Sequence, residues 1–188
     1  TIGNDAFSDC YYLTSITIPN SVTTIEDRAF KYCYGLTSIT IPNSVTTIGD
    51  RAFDGTGWWN NQPDGLIYKD GWLLGYKGNE PSGDIVIADG TKRIADEAFH
   101  YCSGLTSIVV ESGNTKYDSR EGCNAIIETA TNTLVAGCKN TVIPGSVTTI
   151  GEWAFDGRSG LTSITIPNSV TTIEDWAFSG CSDLESIT

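Results

Sequence analysis

Apolar residues along this chain recur in a fixed phrase. An isoleucine is followed four residues later by alanine and five residues later by phenylalanine, starting at Ile2, Ile25, Ile48, Ile94, Ile150 and Ile173. Phe7, Phe30, Phe53, Phe99, Phe155 and Phe178 close these phrases, and the chain has no other phenylalanine. The isoleucines lie 23 residues apart at three of the five steps and 46 and 56 apart at the others. Such a period predicts a stacked repeat interrupted by two insertions. No single unit could bury its apolar face alone, so neighbouring units must stack.

Within a unit, Leu13, Ile16 and Ile18 form an L-x-x-L-x-L phrase that ends at Pro19, and Leu36 to Pro42 and Leu161 to Pro167 repeat it. Alternation across a pleat sends Ile16 and Ile18 to the core and Ser15 and Thr17 to solvent. Proline then stops the strand. The pattern predicts an α/β leucine-rich-repeat solenoid of about seven rungs roughly 5 Å apart. It would have a parallel sheet on one face, short helical or 3-10 turns on the return path, and two inserted β-hairpins. Asn4, Asp27, Asp50, Asp96, Glu152 and Asp175 each stand two places after the isoleucine. They are read as caps of those helical turns, since a short polar side chain can accept from backbone N–H groups there.

Residues 1–188 read as one solenoid, with insertions at approximately 55–83 and 111–139. Starting and stopping in mid-repeat, the chain reads as an excerpt of a longer array, or as one whose open ends stack on each other. In the first insertion Asp70-Gly71 predicts a two-residue hairpin turn with Tyr68 facing Leu73 and Lys69 facing Trp72. Trp58, Trp59 and Trp72 lie in this stretch; they either seal the hairpin onto the solenoid or form a platform for a sugar or a protein loop. In the second insertion a turn at Ala130-Thr131 would place Ile127 opposite Leu134, Ile126 opposite Val135 and Cys123 opposite Cys138. That pair is compatible with a disulfide and equally with two apposed free thiols.

Charge narrows the function. The net charge is -12, with 11 Lys and Arg against 23 Asp and Glu, so a nucleic-acid partner would be repelled. No stretch is apolar and long enough to insert in a membrane. Cys10, Cys33, Cys102 and Cys181 form a column eight residues past the isoleucine and read as buried packing thiols, with Thr56 and Arg158 replacing them in other rungs. His100 is the only histidine, and the cysteines show no C-x-x-C, so neither a metal centre nor a histidine triad is expected. There is no phosphate-binding glycine loop and no serine elbow. No cofactor and no catalytic residue is assigned.

The phrase Leu-Thr-Ser-Ile-Thr-Ile-Pro-Asn-Ser-Val-Thr-Thr-Ile followed by Ala-Phe and Cys resembles the BspA-like leucine-rich-repeat family. Asn124-Ala-Ile-Ile-Glu-Thr-Ala-Thr-Asn-Thr-Leu also resembles an insertion of that family. The resemblance spans nearly the whole chain. It implies a bacterial surface or secreted protein, or a protist relative, that adheres to host matrix or cell-surface proteins. It carries over no catalytic residue. The binding face expected from the repeat contains Ser15, Thr17, Ser38, Thr40, Ser107, Val109, Ser163 and Thr165, all small. The column before each Ala-Phe pair adds Trp153 and Trp176, placed side by side, for packing or for a partner. Two other readings compete with adhesion: a spacer in a surface stalk, and carbohydrate recognition through the tryptophan-rich hairpin.

Overall fold

The computed structural model describes residues 1–188, which form two compact units. The first comprises residues 1–78 and 93–98, and the second residues 79–92 and 99–188.

In the first unit the repeat isoleucines stack in register. Ile2 bridges Ile25 in parallel, and Thr24–Ile25 pairs with Thr47–Ile48. Phe7, Phe30 and Phe53 follow as a ladder of nearly parallel rings, with centroids 5.2 and 5.5 Å apart. That separation is set by the spacing of adjacent strands. Phe30 is completely buried between its neighbours, alongside Ile25, Leu36 and Ile48.

In the first unit the alternation read from the L-x-x-L-x-L phrase governs burial better than it governs pairing. Ile39 and Ile41 are buried while Ser38 and Thr40 are exposed, yet residues 14–18 and 37–41 form no strand pair. In the first unit the Thr-Thr-Ile segments pair instead, whereas in the second Gly83–Ile87 pairs in parallel with Leu105–Val110 and Ser163–Ile164 with Ser186–Ile187, as the alternation predicts; the expected single sheet is divided into five short ones.

The return path corrects the expected helical turns and the α/β description. Only Gly57–Asn60 and Arg120–Gly122 are helical, and both lie in the insertions. Elsewhere the coils turn on residues with positive φ. Three places past the isoleucine stand Asp5, Arg28, Arg51, Glu97, Trp153 and Trp176, with φ between 49° and 57°. Seven places past it stand Asp9, Tyr32, Gly55, Tyr101, Gly157 and Gly180, also left-handed. A left-handed residue at these two points breaks any helical run. The chain gains a second ladder in exchange. Arg28, Phe30 and Tyr32 donate their N–H groups to the carbonyls of Asp50, Ala52 and Asp54 one coil on, each at 2.8 Å.

The expected helix caps act between coils. The Asp27 N–H donates to Asn4 Oδ1 and the Asp50 N–H to Asp27 Oδ1, both at 3.0 Å. In the second unit the Glu152 N–H donates at the same distance to Glu174 Oε2, one place before the expected cap Asp175. Each of these side chains thus satisfies a backbone donor that turning would leave unpaired.

Each insertion lends a strand to a coil. Gly65–Lys69 runs antiparallel to Trp72–Lys77 through Asp70 and Gly71, both with positive φ. The second strand then pairs in parallel with Arg93–Ile94, so Leu73 takes an isoleucine's place in the stack. Asp70 Oδ2 accepts the Ile41 N–H at 2.8 Å and ties the turn to its coil. In the second unit Ala125–Glu128 runs antiparallel to Thr133–Gly137, and Leu134 pairs with Ile150, which pairs with Ile173.

A bulge at Val135 changes the predicted facing of the cysteines. Ile127 faces Leu134, but Ile126 faces Ala136 and Ala125 faces Gly137. One extra residue in a strand moves all later pairs by one place. Cys138 consequently meets Asn124, whose carbonyl accepts from its Sγ at 3.4 Å, while the Cys123 Sγ donates to Ala125 O. Both thiols are free and buried.

Burial also raises the pKa values of several thiols. Desolvation is the main cause at Cys33, Cys123 and Cys181, and it pushes Cys102 up to about 11. A thiol that holds its proton more tightly when folded stabilises the fold fully below the unfolded pKa, near 9, and loses that contribution as pH rises toward the folded value. The urea midpoint should therefore fall between about pH 8.5 and about pH 10.5, and Cys102→Ala should make the fall shallower. Equal slopes for the two proteins would contradict this assignment.

Candidate functional site

Two features of the second unit depart from the repeat. The first is Arg158, which holds the cysteine column's place and is only 1% exposed. The coil before it, built on Leu134, has Cys138 and Lys139 at the places where a full coil carries Ala and Phe. Gly137 is needed there because the Phe155 ring lies against it; a Cβ would come within 2.2 Å of Cε1. The Arg158 guanidinium reaches a carbonyl of this shortened coil, one of the Ile94 coil and one of its own. Nε donates to Gly137 O at 2.9 Å, and Nη1 donates to Phe99 O at 2.9 Å and Asp156 O at 2.7 Å. Burial pulls the Arg158 pKa down, opposed by Cys102, Asp156, Cys138 and Cys181. A planar, multiply donating cation suits this place better than an ammonium. The arrangement is structural.

The second feature is a strip of aromatic residues beside it. His100 Nδ1 meets Asp156 Oδ2, and its ring lies against Tyr101 at 3.6 Å between centroids. On its other side it meets Trp153 edge-on at 6.5 Å. Trp153 and Trp176 stack nearly parallel at 5.4 Å. The outer members are open to solvent, Tyr101 at 55% and Trp176 at 63%. Tyr101, Trp153 and Trp176 all occupy left-handed positions, with φ of 56°, 57° and 57°. That conformation costs a residue with a Cβ roughly 1–2 kcal/mol. At equivalent places other coils carry Asp5, Asp9, Gly55, Gly157 and Gly180, the types that tolerate it best, but also Arg28, Tyr32, Arg51 and Glu97.

The expected binding residues divide sharply. Trp58, Trp59 and Trp72 are buried in the first unit's core. Ser15, Thr17, Ser38, Thr40, Ser163 and Thr165 are exposed, as the alternation requires, and Ser107 is half-buried. Val109 pairs with Val86 across Gly83–Ile87 and Leu105–Val110, and both side chains are exposed. Trp153 and Trp176 come together as their column predicts.

Sequence reasoning passed over a second aromatic group. Tyr11 and Tyr34 stack at 5.5 Å, and Tyr34 meets Tyr32 at 6.0 Å; these rings and Tyr12 are exposed in the first unit. The signal was available, since Tyr11 and Tyr34 each stand nine residues past an isoleucine of the repeat. Hydrogen bonding to Asp9 is the main reason the Tyr11 hydroxyl's pKa is raised.

The BspA type leucine rich repeat region matches in six copies, over residues 1–61, 77–132 and 126–188. The chain belongs to this family. No curated protein is significantly similar to it. Among solved structures, a leucine rich cell surface protein from Faecalibacterium prausnitzii A2-165 is 30% identical with a TM-score of 0.51, and the match covers 97% of this chain and 43% of that one. A leucine-rich repeat protein from Eubacterium ventriosum is 23% identical with a TM-score of 0.50, over 88% of this chain and 53% of that one. The pneumococcal vaccine antigen PcpA is 18% identical with a TM-score of 0.55, over 100% and 55%. The last two likenesses are of fold alone. This BspA type chain thus spans about half the length of the solved structures it matches. None of its helices is long and apolar enough to cross a membrane.

Proposed function

We propose that this chain is a non-catalytic protein-binding module, part of a longer repeat array on a cell surface or in a secreted protein, and that its role is adhesion to host or neighbouring-cell proteins. The observation that carries the reading is the exposure of Tyr101 and of Trp176, which stacks on Trp153, in one aromatic strip. Aromatic side chains at exposed places supply the large, rigid contact area typical of interface hot spots. The likeness to a protein described as a cell surface protein supports the location. Regular columns of serine and threonine favour the spacer reading for the rest of the surface, because small uniform side chains make poor hot spots.

The test is binding of the purified chain to an array of host matrix proteins, blood proteins and glycans, with reduced and oxidised samples side by side. Saturable binding to a protein, abolished by substitutions on one surface, is the expected result. No binding at high micromolar concentration would place recognition elsewhere in the parent protein and leave the spacer reading. Binding confined to glycans would replace the protein ligand with a carbohydrate.

A further inference from the structure

We infer that the strip formed by Tyr101, Trp153 and Trp176 docks an arginine-rich segment of a partner protein; this rests on the reading of the chain as a protein-binding module. The aromatic faces are the first half of the argument. Guanidinium groups stack on tryptophan and tyrosine, held by the ring quadrupole, and gain most where water is partly excluded. In this strip one ring of the tryptophan pair is open to solvent, and Tyr101 is more than half exposed.

Charge supplies the second half. Between Asn140 and Thr188 the chain has six carboxylates and one cation, Arg158. Arg158 is buried and committed to three carbonyls. Five of the carboxylates, on Glu152, Glu174, Asp175, Asp183 and Glu185, belong to exposed residues. Glu152 directly precedes Trp153, and Asp175 directly precedes Trp176. Rings elsewhere already carry a cation of the chain, Lys31 over Tyr32, Arg93 over Trp72 and Lys116 over Tyr117. The tryptophan pair has carboxylate neighbours instead, so the complementary cation must come from a partner. Arginine fits better than lysine, because its planar group can stack on a ring and donate to a carboxylate in the same pose.

The experiment uses the whole chain and three peptides of equal length, arginine–glycine, lysine–glycine and glutamate–glycine repeats, with binding read by calorimetry and tryptophan fluorescence. The arginine peptide should bind saturably, more tightly than the lysine peptide and with an affinity that falls as salt rises, and the glutamate peptide should not bind. Trp153→Asn with Trp176→Asn should weaken the arginine peptide about tenfold or more, and asparagine keeps the left-handed backbone available. Glu152→Gln with Asp175→Asn tests the charge separately and should flatten the salt dependence. Failure of the arginine peptide to bind, equal binding of the glutamate peptide, or unchanged affinity in the tryptophan variant would overturn the inference. If the tryptophan variant still binds a protein on the array, the module reading stands and this site falls. If neither the array nor the peptide is bound, both fall.

Discussion

Replacing Arg158 with cysteine, the residue its column holds in four other coils, should destabilise the second unit by about 3 kcal/mol or more. The repeat makes this substitution look like a repair, and the structure explains why it is damage. The carbonyls of Gly137, Phe99 and Asp156 all accept from one guanidinium that is 1% exposed, and Phe99 O also accepts the Cys102 N–H at 3.1 Å. Cysteine reaches none of them with comparable strength; Phe99 O keeps its backbone donor, but leaving the Gly137 and Asp156 carbonyls without the guanidinium costs about 1–3 kcal/mol each. A loss of that size should lower the thermal midpoint by about 10 °C. Arg158→Lys keeps the charge but has a single compact donor head, so it should recover only part of the loss. The measurement is chemical denaturation of the three proteins followed by far-ultraviolet circular dichroism. An Arg158→Cys protein as stable as the parent would mean that the shortened coil does not depend on this side chain.

Phe30→Ala should cost the first unit about 3–5 kcal/mol. Phe30 has no exposed surface and lies between Phe7 at 5.2 Å and Phe53 at 5.5 Å, so its removal opens a gap with ring faces on both sides. The backbone cannot collapse into that gap, because the coil-to-coil hydrogen bonds of Arg28, Phe30 and Tyr32 fix the distance between coils. Phe30→Leu keeps most of the volume and should cost roughly 1–2 kcal/mol. Denaturant midpoints for the two variants check the order. Equal losses would show that ring stacking outweighs cavity volume in setting the cost.

The ladder of phenylalanines was legible because a residue placed once per coil must stack on its copies, whatever the chain does between them. The left-handed turns were hidden for the opposite reason. At the position three past the isoleucine the chain uses aspartate, arginine, glutamate and tryptophan, none of which is glycine. A hint lay four residues further on, where Gly55, Gly157 and Gly180 occupy three of six places. The parallel pairing of Thr24–Ile25 with Thr47–Ile48 was missed because two residues carry too little alternation to read as a strand. Local turn chemistry fixed Tyr68 opposite Leu73, but bulges cannot be read from spacing, and the one at Val135 moved Cys138 from Cys123 to Asn124.

The candidate site was legible in part. The neighbouring places of Trp153 and Trp176 followed from the 23-residue period, whereas the attachment of His100 and Tyr101 to the same strip did not. These residues belong to a coil separated from Trp153 by the second insertion, and nothing in the linear sequence shows that the insertion returns the chain beside them. Arg158 looked like a bland replacement in the cysteine column. Its role depends on Gly137, 21 residues earlier, whose coil lacks the Ala-Phe corner. Trp58, Trp59 and Trp72 had two readings, and all three are buried.

The central claim is that the exposed aromatic residues serve a partner and not the fold, and one protein can test it. In Trp153→Asn with Trp176→Asn, loss of the stacked pair costs about 1 kcal/mol, while relief of two strained left-handed residues returns a similar amount. Stability and protein binding of this variant should be measured on the same preparation. The account predicts a denaturation midpoint at or above that of the parent together with loss of saturable protein binding. A lower midpoint with binding intact would contradict it and make the tryptophan pair a packing device.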